Sequence, residues 1–207
     1  QTGIRYDGTD LKPFPRYTAV LDVTDDAGET AHAEVSFETG RMGEAWKGVW
    51  ISDPAYSFTE KGVSPVPMMF RRKIGTKGKI TSAKLYATAL GIYELEIDGK
   101  KVGDRYFAPG FTSYKHEMQY QTYDVTEMLN GNGGEHTLTA VVAGGWAVGS
   151  FVFTRVNRFD ADRQALLAEL RITYEDGSEE VIGTDDTWEV TEDGPYRMAD
   201  IYDGETY

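Results

Sequence analysis

Apolar and polar residues alternate along most of this chain, and a period of two predicts β-strands. In "YTAVLDVTD", Tyr17, Ala19, Leu21 and Val23 share one face; in "TAHAEVSFET", Ala31, Ala33, Val35 and Phe37 do the same. The intervening "DDAG" carries turn residues, so the two segments predict a hairpin. The pattern sharpens further on. "AKLYATAL" alternates Ala83, Leu85, Ala87 and Ala89, and "YELEI" alternates Tyr93, Leu95 and Ile97. Asp98-Gly99 follows directly, the dipeptide best suited to a two-residue hairpin because both positions favour positive φ. Further strands are predicted at "MMFRRKI", "MQYQTYDV", "HTLTAVVA", "ALLAELRITY", "EEVIG" and "TWEV", with a second Asp-Gly turn in "YEDGSEE". One helical turn is predicted after "DVT", with Thr126 as N-cap and "EMLNG" ending at Gly131. No segment keeps a 3.6-residue period over three turns. The chain therefore reads as all-β and two-layered, with strands joined over the ends of a sandwich.

Two strands are marginally stable alone. Residues 1–45 are accordingly predicted as the closing part of a small β domain that begins upstream, and residues 46–207 as a larger sandwich. "RMGEAWKGVWISDP" forms the predicted junction, with Trp46, Trp50 and Ile51 available for packing.

Composition narrows the function. The chain has 207 residues, 40% of them hydrophobic, enough for a substantial core. Asp and Glu total 34 against 21 Lys and Arg, a net charge of −13, which disfavours nucleic acid and anionic membranes as partners. No apolar run approaches the 18 residues of a membrane span, so no membrane insertion is expected. Cysteine is absent, which excludes disulfides and thiolate metal sites. "QTGIRYDGTD" resembles a processed start, and a periplasmic or secreted setting is favoured over a cytoplasmic one. Aromatic residues make up 13% of the chain and include 13 tyrosines, which suit half-wet surfaces and sugar contacts as well as strands.

Candidate chemistry is sparse. No nucleophile elbow, phosphate loop or dinucleotide fingerprint is present. "VVAGGWAVG" lacks the Lys-Ser/Thr of a phosphate loop, and Gly144 and Gly145 read as backbone room beside Trp146. His32, His116 and His136 are scattered without metal spacing and read as incidental. With 34 acidic residues, no carboxylate pair stands out as the two groups a glycosidase needs. In "TRVNRFDADRQA", Asn157, Asp160 and Asp162 offer three oxygen donors, the kind of loop that takes Ca²⁺, although the Gly and distal Glu of an EF-hand are missing. The same residues also suit a polar loop whose Asp side chains cap their own backbone. The stretch from Ile97 to Thr126 mixes Tyr106, Phe107, Phe111, Tyr114, Tyr120 and Tyr123 with Asp104, Arg105 and Lys115. That mixture fits a sugar platform flanked by fixed polar groups. It equally fits a structural corner in which Phe107 and Phe111 fill the sandwich edge.

"LYATALGIYELEIDGKKVGDRYFAPGFTSYKHEMQYQTYDVTEML", "AGGWAVG" and "NRFDADRQALLAELRITYEDGSEEVIGTDDTWEV" resemble the amino-terminal region of bacterial α-L-rhamnosidases. "VSFETGRMGEAWKGVWI" resembles the join between a fibronectin-like domain and that region, and "ADIYDGETY" the segment leading onward. The "L-x-I-D-G-K-x-V-G" core is less specific, since β-galactosidase sugar-binding domains share it. The resemblance implies a fibronectin/Ig-like fragment over 1–45 and a galactose-binding-like jelly roll over 46–207. It implies an accessory, non-catalytic role in an inverting glycoside hydrolase whose catalytic acids lie in a helical barrel beyond Tyr207, which would be the sandwich's partner within the same polypeptide. It further implies recognition of L-rhamnose-containing glycans, with Ca²⁺ in some members. Carried over residue by residue, it nominates Asp104, Arg105, Trp146 and Asn157 for carbohydrate, which join Phe111 and Tyr114 from the aromatic stretch, and Asn157 with Asp160 and Asp162 beside it for Ca²⁺. The chain departs from the family pattern at Phe111, where Trp is usual, at Glu117, where Arg is usual, and at Ala147, where Tyr is usual. A purely structural domain bracing the barrel, and a sugar-binding domain of another glycosidase, are the alternative readings.

Overall fold

A computed structural model of the chain describes residues 5–56, 62–130, 134–150, 156–202 and 204–207. The chain divides into two compact units, Gln1–Ala45 and Trp46–Tyr207.

The first unit is built on a hairpin of β1 (Arg16–Thr24) and β2 (Thr30–Glu38). Its register sets Tyr17 opposite Phe37, Ala19 opposite Val35 and Leu21 opposite Ala33, so one face is apolar, as the alternation predicts. The other face pairs Thr18 with Ser36 and Asp22 with His32. Asp25 closes the turn by accepting from the Ala27 and Glu29 N–H groups.

The second unit is a sandwich of two antiparallel sheets, in agreement with the all-β expectation. One sheet has the order β10-β9-β4-β7: β10 (Glu179–Gly183), β9 (Ala165–Tyr174), β4 (Ile80–Leu90) and β7 (Gln121–Asp124). The other has the order β11-β3-β8-β5-β6: β11 (Glu189–Thr191), β3 (Met68–Gly75), β8 (Glu135–Ala143), β5 (Ile92–Ile97) and β6 (Lys100–Lys101). A short hairpin of β12 (Met198–Asp200) and β13 (Gly204–Thr206) follows. Alternate residues of each strand meet between the sheets: Leu85, Ala87, Leu170 and Ile172 from one, Phe70, Leu95, Ile97, Leu138 and Val142 from the other.

The predicted turns form as their chemistry requires. Asp98 and Gly99 have φ of 53° and 73°, and Ile97 pairs with Lys100 across them. The Asp98 carboxylate also accepts from the Thr137 N–H at 2.8 Å and lies 2.8 Å from His136 Nδ1, so a buried histidine without any sequence motif ties β8 to the hairpin tip. The predicted helical turn is α1 (Thr126–Asn130), and Gly131 lies outside the described residues. Thr126 is not the cap. Its hydroxyl accepts from the Ala83 N–H and donates to Asp124, while Asp124 Oδ1 accepts the Thr126 N–H. The sequence pattern missed β6, β12, β13 and a second short helix, α2 (Gly145–Val148), because each is too short to show a period.

Residues 46–52 run beside β9 where β10 ends. Ile51 and Leu166 exchange two backbone hydrogen bonds of 2.9 Å, and the Val49 N–H donates to the Thr184 carbonyl at 2.8 Å. Glu169, wholly buried on the outer face of β9, accepts from the Lys47 N–H at 2.6 Å and from Arg171 Nε at 2.7 Å. Gly48 is required there, since a Cβ would stand 2.6 Å from the Ala168 carbonyl oxygen and 2.9 Å from the Thr184 nitrogen.

Two stability tests follow from this packing. Leu170→Ala, at a fully buried position, is expected to cost about 2–5 kcal/mol in urea unfolding. Gly48→Ala is expected to cost about 1–3 kcal/mol by pushing residues 46–52 off β9, with fluorescence of Trp46 and Trp50 reporting the displacement.

Candidate functional site

The end of the sandwich at the carboxyl side of β8 carries a cluster of aromatic rings. β8 leads through Gly144 into α2, which bears Trp146. Gly145 takes φ of +55° and packs against Ile92 and Gly91, and a Cβ on Gly144 would stand 2.7 Å from the Gly149 Cα. Both glycines thus supply the backbone room the sequence predicts beside Trp146. The Phe107 and Phe111 rings meet the indole at 6.2 Å and 6.0 Å, and Tyr114 meets Phe111 edge-on at 6.4 Å. Phe107 and Phe111 remain 55% and 57% exposed. They do not fill the sandwich edge, as the structural reading of the sequence had them. They form an apolar surface open to solvent.

The loop bearing these rings is fixed from below. The Ala108 carbonyl accepts the Tyr93 N–H at 2.8 Å, and the Pro109 carbonyl accepts from Gln121 Nε2 at 3.0 Å. Gln121 Oε1 in turn accepts from the Tyr93 hydroxyl at 2.9 Å, and Tyr93 and Tyr123 share a hydrogen bond of 3.1 Å. Burial, and then the neighbouring Tyr123, push the Tyr93 phenol far above its ordinary range, so it is a neutral structural group. The Tyr114 hydroxyl donates to the Gly110 carbonyl at 3.0 Å. Burial and the negative charge of Asp160 push that phenol up to about 12. Asp160 is thus near enough to act electrostatically on the Tyr114 hydroxyl.

Residues 156–163 lie against α2. The Val148 carbonyl accepts the Arg158 N–H at 2.9 Å, and the Ala147 carbonyl accepts those of Asp160 and Ala161 at 3.2 and 3.1 Å. The three oxygen donors nominated for calcium are directed differently. Asn157 is buried, and its Nδ2 donates to the Val63 carbonyl at 2.7 Å, which clamps residues 62–67. Asp162 is exposed and reaches Arg163 at 3.3 Å, while its backbone carbonyl accepts from Arg158 Nε at 3.1 Å. Asp160 acts electrostatically on the Tyr114 hydroxyl. Among the described residues, no three His, Asp or Glu side chains gather to hold a metal ion.

Asp104 and Arg105 are exposed and act electrostatically on Tyr123, and no described contact joins them to the Trp146 cluster. Tyr106 instead carries the Lys101 ammonium 4.0 Å above its ring. A hollow of about 490 Å³ lined by Lys73, Ile74, Gly75, Glu135, His136 and Thr137 sits at the opposite end of β8, and no described Phe, Tyr or Trp lines it. Two contributors escape sequence reasoning. Phe107 joins the cluster through a left-handed φ of 55° that no local pattern announces. Asp200 supports the end of α2 by accepting the Ser150 N–H at 2.8 Å. One carboxylate among 34 gives no signal of that role.

Comparison with known proteins matches this architecture. Residues 78–207 match the family model described as the α-L-rhamnosidase N-terminal domain. An α-L-rhamnosidase of Formosa agariphila is 34% identical over 83% of this chain, which spans 19% of that protein. The crystal structure of an α-L-rhamnosidase from Aspergillus terreus superposes with a TM-score of 0.87 at 31% identity, covering 97% of this chain and 23% of that one. That of a Streptomyces avermitilis α-L-rhamnosidase complexed with L-rhamnose gives a TM-score of 0.66 at 31% identity, over 91% of this chain and 20% of that one. The chain thus spans about a fifth of the length of these relatives, and both its sequence from residue 78 onward and its sandwich say that it belongs to the α-L-rhamnosidase N-terminal domain family.

Proposed function

We propose that this chain is the non-catalytic N-terminal part of an enzyme that removes terminal α-L-rhamnose, and that the Trp146 cluster recognises the sugar. The observation that carries this reading is the exposure of Phe107 and Phe111 beside Trp146 on a backbone hydrogen-bonded to Tyr93 and Gln121 beneath them. A 6-deoxy sugar presents a methyl group and C–H bonds on one side and hydroxyls on the other. The ring faces suit the first, and the Asp160 carboxylate suits the second. Asn157, Asp160 and Asp162 are directed differently and would have to reorient to hold Ca²⁺ together, so Ca²⁺ enters this reading only through the test below. The bond-breaking step of the whole enzyme needs a general acid and a general base carboxylate, which we assign to a further domain.

The same exposed rings favour a second reading, in which they are covered by another part of the polypeptide and the domain serves as a brace. Titration calorimetry with L-rhamnose, with and without Ca²⁺, separates the two. Sugar recognition predicts a dissociation constant near a millimolar, about 4–5 kcal/mol of binding free energy. Trp146→Ala should weaken it at least about tenfold, and Phe111→Trp should strengthen it. Absence of heat from the unmodified chain would leave the bracing role. Incubated with an aryl α-L-rhamnoside, the chain should release no aglycone; turnover would overturn its non-catalytic assignment.

A further inference from the structure

Three side chains from separate parts of the fold grip residues 62–67: Asn157 at the Val63 carbonyl, Asp200 at the Ser64 hydroxyl, and Gln164 at the Val66 carbonyl. Asp200 is the charged member and is only 6% exposed. Its Oδ2 accepts from the Ser64 hydroxyl at 2.5 Å and from the Ser150 N–H at 2.8 Å. Its Oδ1 is closed off from solvent and has no hydrogen-bond partner, and the hydroxyl of Ser150 is in the same condition. Among the described residues, no Lys, Arg or His pairs with Asp200.

A buried carboxylate with an open oxygen is costly unless a positive charge or further donors meet it. Here the open oxygen is accompanied by a second unengaged oxygen, on the very residue whose N–H already binds the same carboxylate. Both are hard donors, and one is anionic. Hard cations of the Na⁺, K⁺, Mg²⁺ and Ca²⁺ class take such oxygens, completing their shells with backbone carbonyls and water.

We propose that Asp200 Oδ1 and Ser150 Oγ are two donors of a buried hard-cation site behind α2, separate from the Asn157–Asp160–Asp162 loop. The cation neutralises Asp200 where no described Lys, Arg or His does. It joins the segment at Ser64, the end of α2 and the β12–β13 hairpin through one centre. Because Ser150 closely follows α2, occupancy of the site also steadies the backbone that carries Trp146. This assignment stands whether or not the aromatic cluster binds sugar.

The test is thermal unfolding of the chain after chelation, with each of the four cations added singly at constant ionic strength set by tetramethylammonium chloride. One of the four should raise Tm by about 3–6 °C at roughly ten times its Kd, and their ranking identifies the ion. Asp200→Asn, which keeps the shape and removes the charge, should lose the shift. Ser150→Ala keeps the backbone N–H and should move the cation midpoint several-fold higher. The double variant Asp160→Ala/Asp162→Ala should retain the full shift. The proposal is overturned if no cation shifts the unmodified chain, if Asp200→Asn responds as the unmodified chain does, or if the shift disappears with Asp160 and Asp162. Should Asp200→Asn fail to fold, an unchanged midpoint in Ser150→Ala overturns it equally.

Discussion

The ladder between β4 and β9 runs from Ile80 opposite Tyr174 to Leu90 opposite Ala165, and it governs both faces of the sandwich. Its inner face supplies Leu85, Ala87, Ala168, Leu170 and Ile172 to the core. A slip of one residue would send Glu169 and Arg171 inward and expose the leucines, so the register is set by burial as much as by hydrogen bonds. The outer face is covered as well. Residues 46–52 lie along β9, Glu169 engages the Lys47 N–H, and Trp46 meets Tyr120, which in turn meets Tyr86. A strand buried on both sides departs from simple alternation, which is why "ALLAELRITY" reads as an almost continuous apolar run until Glu169.

The candidate site is built at one end of this frame from pieces that carry little stability themselves. α2 is a single turn, and the loop over residues 103–117 has no regular structure beyond a bridge at Ala108. The loop is held by groups of the core strands, the Tyr93 N–H and the Gln121 amide, and α2 in turn holds residues 158–161 through its Ala147 and Val148 carbonyls. The rings of Phe107 and Phe111 can therefore stay exposed without losing their geometry. Division of labour of this kind, between a rigid sandwich and the loops at its end, suits a recognition role. The same economy applies to Asn157. Its place among three loop oxygen donors and the family resemblance made it a ligand candidate, and its amide Nδ2 braces a neighbouring segment at the Val63 carbonyl.

Sequence patterning located the strands that carry the fold. Period two placed β1 through β5 and β7 through β11, and Asp98-Gly99 announced its own turn, because these signals arise from residues adjacent in the chain. The family was legible from the long run after Leu85 for the same reason. Trp146 was legible as an aromatic within a glycine-rich segment, and Phe111 and Tyr114 as part of an unusual aromatic run. Thr126 was misread as a cap, since its hydroxyl engages Ala83, which is distant in sequence.

What the sequence determined by itself was therefore strand periodicity, the net acidic charge, and the turn chemistry. What only the tertiary structure decided was which polar and aromatic groups meet. Phe107 joins Trp146 while Asp104 and Arg105 stand apart by Tyr123, and Asp200 reaches Ser64 and Ser150 across the chain. Such meetings depend on where β8, the loop after β6 and the final hairpin end relative to one another. Packing of the two sheets fixes those endpoints, and no residue encodes them alone.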